Sequence, residues 1–152
     1  MNTLSILALK SGTIIDHIPE HTALNILQCL RKFPKSGSLT IGISLLSEKL
    51  GRKDLIKMHD RKLSPEEMTY VALFAPNATI NVIEDHCLIT KSAPTFPEEV
   101  IGIFSCLNPR CITHVEHVPS HFFVDANRAQ MHLQCRYCQS MFPRDALQEY
   151  AL

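Results

Sequence analysis

The chain has little of what would place it in a membrane, on a nucleic acid or among the common nucleotide-hydrolysing enzymes. No apolar run approaches the roughly 20 residues that cross a bilayer as a helix. Charge of one sign is missing: 15 Lys and Arg face 15 Asp and Glu among 152 residues. Neither disorder nor a polyelectrolyte partner is therefore implied. Met1-Asn2-Thr3-Leu4 lacks the charged region and apolar stretch of a secretion signal, so a cytoplasmic location is expected. The glycosylation-like Asn77-Ala78-Thr79 then carries no meaning. There is no internal repeat, no low-complexity tract, no Gly-x-x-x-x-Gly-Lys-Ser/Thr, no Gly-x-Gly-x-x-Gly, no nucleophile elbow and no His-Glu-x-x-His. P-loop, dinucleotide, hydrolase and zinc-protease chemistry all lose their basis in the sequence. Nothing reads as a catalytic centre.

What the chain does have is cysteine in pairs. Cys106-Leu-Asn-Pro-Arg-Cys111 is followed, after 23 residues, by Cys135-Arg-Tyr-Cys138. Zinc takes four thiolates in a tetrahedron at about 2.3 Å, and Cys-x-x-Cys is a usual half of such a site. The first pair is spaced more widely, but Pro109 favours a turn that brings both sulfurs to one metal. Four thiolates leave no open position, so the zinc is expected to be structural. Two disulfides or four unrelated thiols are the plainer alternatives, which a cytosolic chain disfavours. His114, His117 and His121 lie inside the 23-residue span. They are read as surface or core histidines, because the cysteines already complete a tetrahedron. Cys29 and Cys87 are expected to be buried thiols.

Taken in order, Leu4 to Lys10 and Thr13 to Ile18 read as strands about the turn Lys10-Ser11-Gly12. Pro19 is expected to open a helix with Leu24, Leu27 and Leu30 on one face, ending over Lys32 to Ser38. Leu39 to Leu46 and Lys53 to Met58 read as strands. Ser64-Pro65-Glu66-Glu67 has the form of a capping box with proline at the first helical position, and the helix should run to Phe74 before Pro76. Ala78 to Ile83 and His86 to Thr90 add two strands. This order predicts an α+β sandwich, ferredoxin-like, with a mostly antiparallel sheet covered on one face by two helices. Ser92 to Glu99 carries two prolines and reads as a linker, dividing the chain into residues 1–97 and 98–152. The second part is small enough to need a structural metal, which makes it a small all-β four-cysteine zinc domain. It holds four arginines and no lysine against six acidic residues, a net charge of −2. A DNA or RNA partner needs a basic face, so a protein-docking platform fits better.

The basic residues of the first part gather at Arg52, Lys53 and Lys57, with Lys49, Arg61 and Lys62 nearby. On a strand Lys53, Leu55 and Lys57 share a face. Two ammoniums there can hold a small polyanion such as a nucleoside triphosphate. The plainer explanation is a solvated strand edge, where lysine guards against edge pairing. Asp16-His17 offers a hydroxyl acceptor and a pH-sensitive donor, or an ordinary strand-to-helix junction.

Four motifs in this order and spacing resemble the regulatory chain of aspartate carbamoyltransferase: Gly12-Thr-Ile-Ile-Asp16-His17-Ile-Pro19, Gly51-Arg-Lys-Asp-Leu-Ile-Lys57, Ala75-Pro76-x-Ala-Thr-x-Asn81, and the four-cysteine frame. The likeness covers essentially the whole chain. It implies a non-catalytic subunit of pyrimidine biosynthesis whose N-terminal domain binds CTP, UTP and ATP as effectors. Its zinc domain would dock on the catalytic chain. Regulatory chains would pair through their N-terminal sheets, and three dimers would hold two catalytic trimers in a dodecamer. By this resemblance Asp16 and Lys57 meet the ribose and base edge, and Lys91 meets the phosphates with His17 close by. Lys53 stands at the margin of the site or helps a second nucleotide. Backbone groups around Leu9 and His86 read the base, Asn81 lines the pocket, and Cys106, Cys111, Cys135 and Cys138 are the zinc ligands. The chain departs from family habit at Thr3-Leu4-Ser5, which lacks a lysine, at Leu7, at His86 in place of an aromatic, and at Arg110 and Gln139 in the knuckles. A zinc-ribbon adaptor that senses nucleotide for another protein is the competing class. A nucleotide-processing enzyme lacks a base or a metal-activated water.

Overall fold

The computed structural model describes residues 9–30, 37–126 and 130–148, in two compact units, Met1–Thr95 and Phe96–Leu152. The first unit runs β1 (Gly12–Pro19), α1 (Ala23–Leu30), β2 (Leu39–Ser47), β3 (Gly51–His59), α2 (Pro65–Phe74), β4 (Thr79–Glu84) and β5 (Cys87–Ser92). Its sheet has the order β2-β3-β1-β4-β5, and every pair is antiparallel. The first six elements follow the βαββαβ plan of ferredoxin-like folds. The fold is α+β, as expected. The strand expected over Leu4 to Lys10 falls mostly outside the described residues, and its end, Leu9-Lys10, is not in a strand.

β1 is the middle strand, which explains its consecutive apolar residues. Ile14, Ile15 and Ile18 are all fully buried, because the strand is covered on both faces. Ile15 stands between Ile56 and Ile80 on the helix side. Ile14 joins Leu9, Leu55 and Ile83 on the other side. Gly12 is required at the start of β1. Its φ is 140°, and a Cβ there would meet the Met58 carbonyl at 2.0 Å.

α1 begins at Ala23 and not at Pro19. Pro19 is still in β1, paired with Lys53, and the carboxylate of Asp54 receives the Ala23 N–H at 3.0 Å. The first helical turn is thus capped from a neighbouring strand, which no local sequence signal announces. The other helix starts as expected: Ser64 accepts from the Glu67 N–H, Glu67 returns the bond to Ser64, and Pro65 opens the first turn. Asp85 and His86, both with positive φ, form the two-residue turn between β4 and β5. Cys87 follows that turn onto an edge strand and is exposed, whereas Cys29 is buried, so the expectation of two buried thiols holds only for Cys29.

The second unit is a four-stranded antiparallel sheet in the order β6-β7-β8-β9, from β6 (Glu99–Ile101), β7 (His121–Asp125), β8 (His132–Cys135) and β9 (Met141–Pro143). Short 3-10 turns lie at Ile112–His114 and Arg144–Ala146. Phe104 and Phe122 are its largest fully buried side chains, and the Arg144 guanidinium sits 4.4 Å over the Phe104 ring. Among the described residues no helix is long and apolar enough to cross a membrane.

Candidate effector face and metal centre

Residues directly opposite one another in a sheet share a face. The pairs Ile14↔Lys57, Ile14↔Asn81 and Asn81↔Lys91 therefore place Lys57, Asn81 and Lys91 in one row across β3, β1, β4 and β5. This is the face away from the helices, since the Asp54 side chain that caps α1 belongs to the opposite parity of β3. The strand carrying Lys53 and Lys57 is flanked by β1 and β2. Its lysines therefore do not guard an edge.

Two β-bulges flank β3 at neighbouring positions. On β1, Asp16 and His17 together face Leu55; on β2, Ile43 and Ser44 together face Asp54. His17 and Ser44 each take the left-handed conformation, with φ of 58° and 59°. Carboxylates hold both. The His17 N–H donates to Asp16 Oδ1 at 2.7 Å, and the Ser44 N–H donates to Asp54 Oδ1 at 3.0 Å. The bulge turns His17 toward Thr79, whose hydroxyl lies 3.1 Å from Nδ1. Burial lowers the His17 pKa from its usual value. The Asp16 carboxylate pulls it up, while the ammoniums of Lys53, Lys49 and Lys91 push it further down.

The eight positions singled out in this unit are not equivalent. Along β1 the face away from the helices passes from the apolar group around Leu9, through the row Lys57–Asn81–Lys91, to Asp16, His17 and Lys53. From Gly12 to Asp16 that is about 13 Å at ~3.3 Å per residue. His86 stands beyond the Leu9 end and is exposed, and its N–H donates to the Lys10 carbonyl at 2.9 Å. That amide is committed within the chain. Lys91 is exposed, Asn81 is buried, and Lys53 is buried against Asp16 at 2.6 Å. Lys49 and Thr79 also belong to the surroundings of His17. Lys49 reaches His17 through the turn between β2 and β3, and Thr79 through the register of β4 against β1. Neither proximity has a signature in sequence.

In the second unit the four cysteine sulfurs lie within 4.8 Å of one another. Cys106 to Cys138 is 3.7 Å and Cys111 to Cys135 is 3.8 Å. A disulfide needs about 2.05 Å, so the pairs are not bridged. A tetrahedron with metal–sulfur bonds of about 2.3 Å has edges of about 3.8 Å, and the site fits zinc. Burial raises the thiols of Cys106 and Cys135. At Cys138 burial acts in the same direction, but hydrogen bonds from Ser140, Asn108 and Cys106 outweigh it and bring the thiol down to about 6. Four thiolates this close require a cation to ionise together. The metal would be held by four protein ligands, so its chemistry is to staple the loops. His114 and His117 are exposed and His121 is buried, and among the described residues the metal-ligand cluster consists of the cysteines alone. His121 Nε2 lies 3.2 Å from the Glu99 carboxylate but without hydrogen-bond alignment.

Fold and centre together define a two-unit protein, an α+β unit with a cation-lined sheet face joined to a small β unit built on a structural metal. Residues 4–95 match the family described as aspartate carbamoyltransferase regulatory chain, allosteric domain, and residues 98–148 match its metal binding domain. The chain belongs to the family of aspartate carbamoyltransferase regulatory chains. It is 41% identical over 147 residues to the regulatory chain of Chromobacterium violaceum, covering 97% of each. To that of Vibrio vulnificus strain YJ016 it is 40% identical over 146 residues, covering 96% of this chain and 95% of the relative. To that of Aliivibrio fischeri strain MJ11 it is 37% identical over 144 residues, covering 95% and 94%. Members of this family are regulatory and not catalytic.

Proposed function

We propose that the chain is a cytoplasmic regulatory subunit of aspartate carbamoyltransferase. In this reading its first unit binds CTP, UTP and ATP on the sheet face away from the helices, and its second unit docks on the catalytic chain. The supporting observation is the row Lys57–Asn81–Lys91 on adjacent strands, ending beside Asp16 and His17. A nucleotide laid along β1 puts its base at the Leu9 and His86 end and its phosphates near Lys91 and His17. There cations make charge-assisted contacts with phosphate oxygens. Lys57, Asp16 and Asn81 lie between, within reach of the ribose and base edge.

Purine and pyrimidine nucleotides differ in size at the Leu9 end while sharing the phosphate end. Each shifts the quaternary equilibrium only by its difference in affinity for two arrangements of the assembly. A route to assembly is present on β2, an edge strand on which Leu39, Ile41, Ile43, Leu45 and Leu46 are exposed. An apolar unpaired edge favours pairing with a second copy, which yields the regulatory dimer of a dodecamer of two catalytic trimers and three regulatory dimers.

The deciding experiment measures carbamoyltransferase rate against aspartate concentration for catalytic trimers, with and without the zinc-loaded chain, in the presence of CTP, UTP or ATP. A curve that changes shape with the chain and again with nucleotide is the expected result. A curve indifferent to the chain, with no assembly by size, shifts the reading to an adaptor for another protein.

A further inference from the structure

Lys53 looks in sequence like one of the cations of the effector face, but its surroundings differ from those of its neighbours. Its side chain is 3% exposed, and that of its partner Asp16 is 4% exposed. Asp16 Oδ1 accepts from the Lys53 ammonium at 2.6 Å and from the His17 N–H at 2.7 Å. One carboxylate oxygen thus ties β3 to the extra residue of the β1 bulge, and Thr79 holds the His17 ring from β4. A non-glycine residue in the left-handed region persists only where its surroundings over-determine it. Here they are the Asp16 acceptor on one side and the Thr79 hydroxyl on the other.

We infer that Lys53 is a positioning residue: through its ion pair with Asp16 it sets the bulge that aims His17, and it does not itself contact the bound anion. The inference rests on the effector-binding reading above. An ammonium this deeply buried cannot turn to a solvated phosphate without leaving a buried carboxylate unpaired, which is strongly unfavourable. The charged groups near His17 are Asp16, Lys53, Lys49 and Lys91, and of the three lysines only Lys49 and Lys91 are exposed. The direct anion contacts fall to those two.

CTP binding to the zinc-loaded full-length chain, followed by calorimetry across salt and pH, separates the two roles in four proteins: the native chain, Lys53→Met, Asp16→Asn and the double variant. A positioning role predicts that Lys53→Met weakens binding about tenfold on its own and less than about twofold on top of Asp16→Asn, because both changes break one linkage. The salt dependence should stay as in the native chain, and the pH dependence contributed by His17 should be lost from Lys53→Met. Equal losses in both backgrounds, with a shallower salt dependence and an intact pH profile, would instead make Lys53 a direct anion ligand and overturn the inference. Should Lys53→Met fail to fold, Asp16→Asn against the double variant decides alone, since neither of those two proteins holds an unpaired carboxylate at residue 16. A native chain that binds no CTP removes the effector reading itself, an outcome distinct from additive losses in a chain that binds.

Discussion

At the scale of single residues, Lys53, Lys57 and Lys91 differ in what surrounds them more than in chemistry. Lys91 is exposed on β5, Lys57 is half-buried in the row with Asn81, and Lys53 is buried against Asp16. Lys91→Ala should weaken the CTP and ATP response about tenfold, the scale of one charge-assisted contact, while leaving assembly unchanged. Effector titrations of the reconstituted enzyme check this, and unaltered midpoints would remove Lys91 from the site. His17 carries a pH signature. Its folded pKa is depressed by burial, so below the usual value of 6.5 the unfolded chain binds more protons than the folded one. Stability is therefore present in full above that pH and declines as pH falls through 6.5 toward the folded pKa. A bound triphosphate favours the imidazolium, so CTP binding should take up a proton and strengthen as pH falls across the same window. Calorimetry in buffers of different ionisation enthalpy measures that uptake, and His17→Gln should abolish it.

At the scale of elements, each start and stop has a nameable cause, and some causes are local while others are distant. The capping box at Ser64 is local, and Ser64→Ala should cost about 1 kcal/mol in thermal or denaturant unfolding. The start of α1 depends on Asp54, a fully buried carboxylate that also holds the β2 bulge. Asp54→Ala removes the acceptor of two backbone N–H groups. It should cost about 3 kcal/mol, more than the Ser64 change, because bonds to a charged acceptor are each worth about 1.5–3 kcal/mol. An unfolding midpoint less affected by Asp54→Ala than by Ser64→Ala would contradict that ordering. The turn at Asp85-His86 places two non-glycine residues at positive φ, where Asn-Gly is favoured. Replacing the pair with Asn-Gly should stabilise the hairpin and preserve the bond from residue 86 to Lys10.

At the scale of the whole molecule, the two units are stabilised by different means. The first has a layered core with Ile15, Ile56 and Ile80 on the helix side of its sheet. The second depends on the four sulfurs for the shape of its knuckle loops. Cys138→Ser or a strong chelator should release the metal and abolish assembly, while the first unit keeps its secondary structure and its nucleotide affinity. Size measurement together with CTP calorimetry distinguishes this from global unfolding. Protons compete with the metal for thiolate, so its release should also increase on acidification. The β2 edge gives a separate handle on assembly. Leu46 is 70% exposed, so Leu46→Glu should leave the chain folded and reduce its self-association, measured by sedimentation.

Much of this protein is written in short range. The α+β order, the capping box and the four-cysteine frame are readable because they rest on local spacing, the period of two and the ligand number of zinc. Other features are invisible there because they depend on which strands become neighbours. The alignment of Lys57, Asn81 and Lys91 is a consequence of register. The paired bulges beside β3 appear only once β1 and β2 flank it. The burial of Lys53 follows from where Asp16 lies in the sheet, and the start of α1 from a carboxylate 31 residues away. Sequence by itself determined which side chains are available and the elements they sit on. Tertiary structure alone decided which cations face solvent and which are committed to a partner, because burial and pairing are properties of neighbours that the chain brings together only on folding.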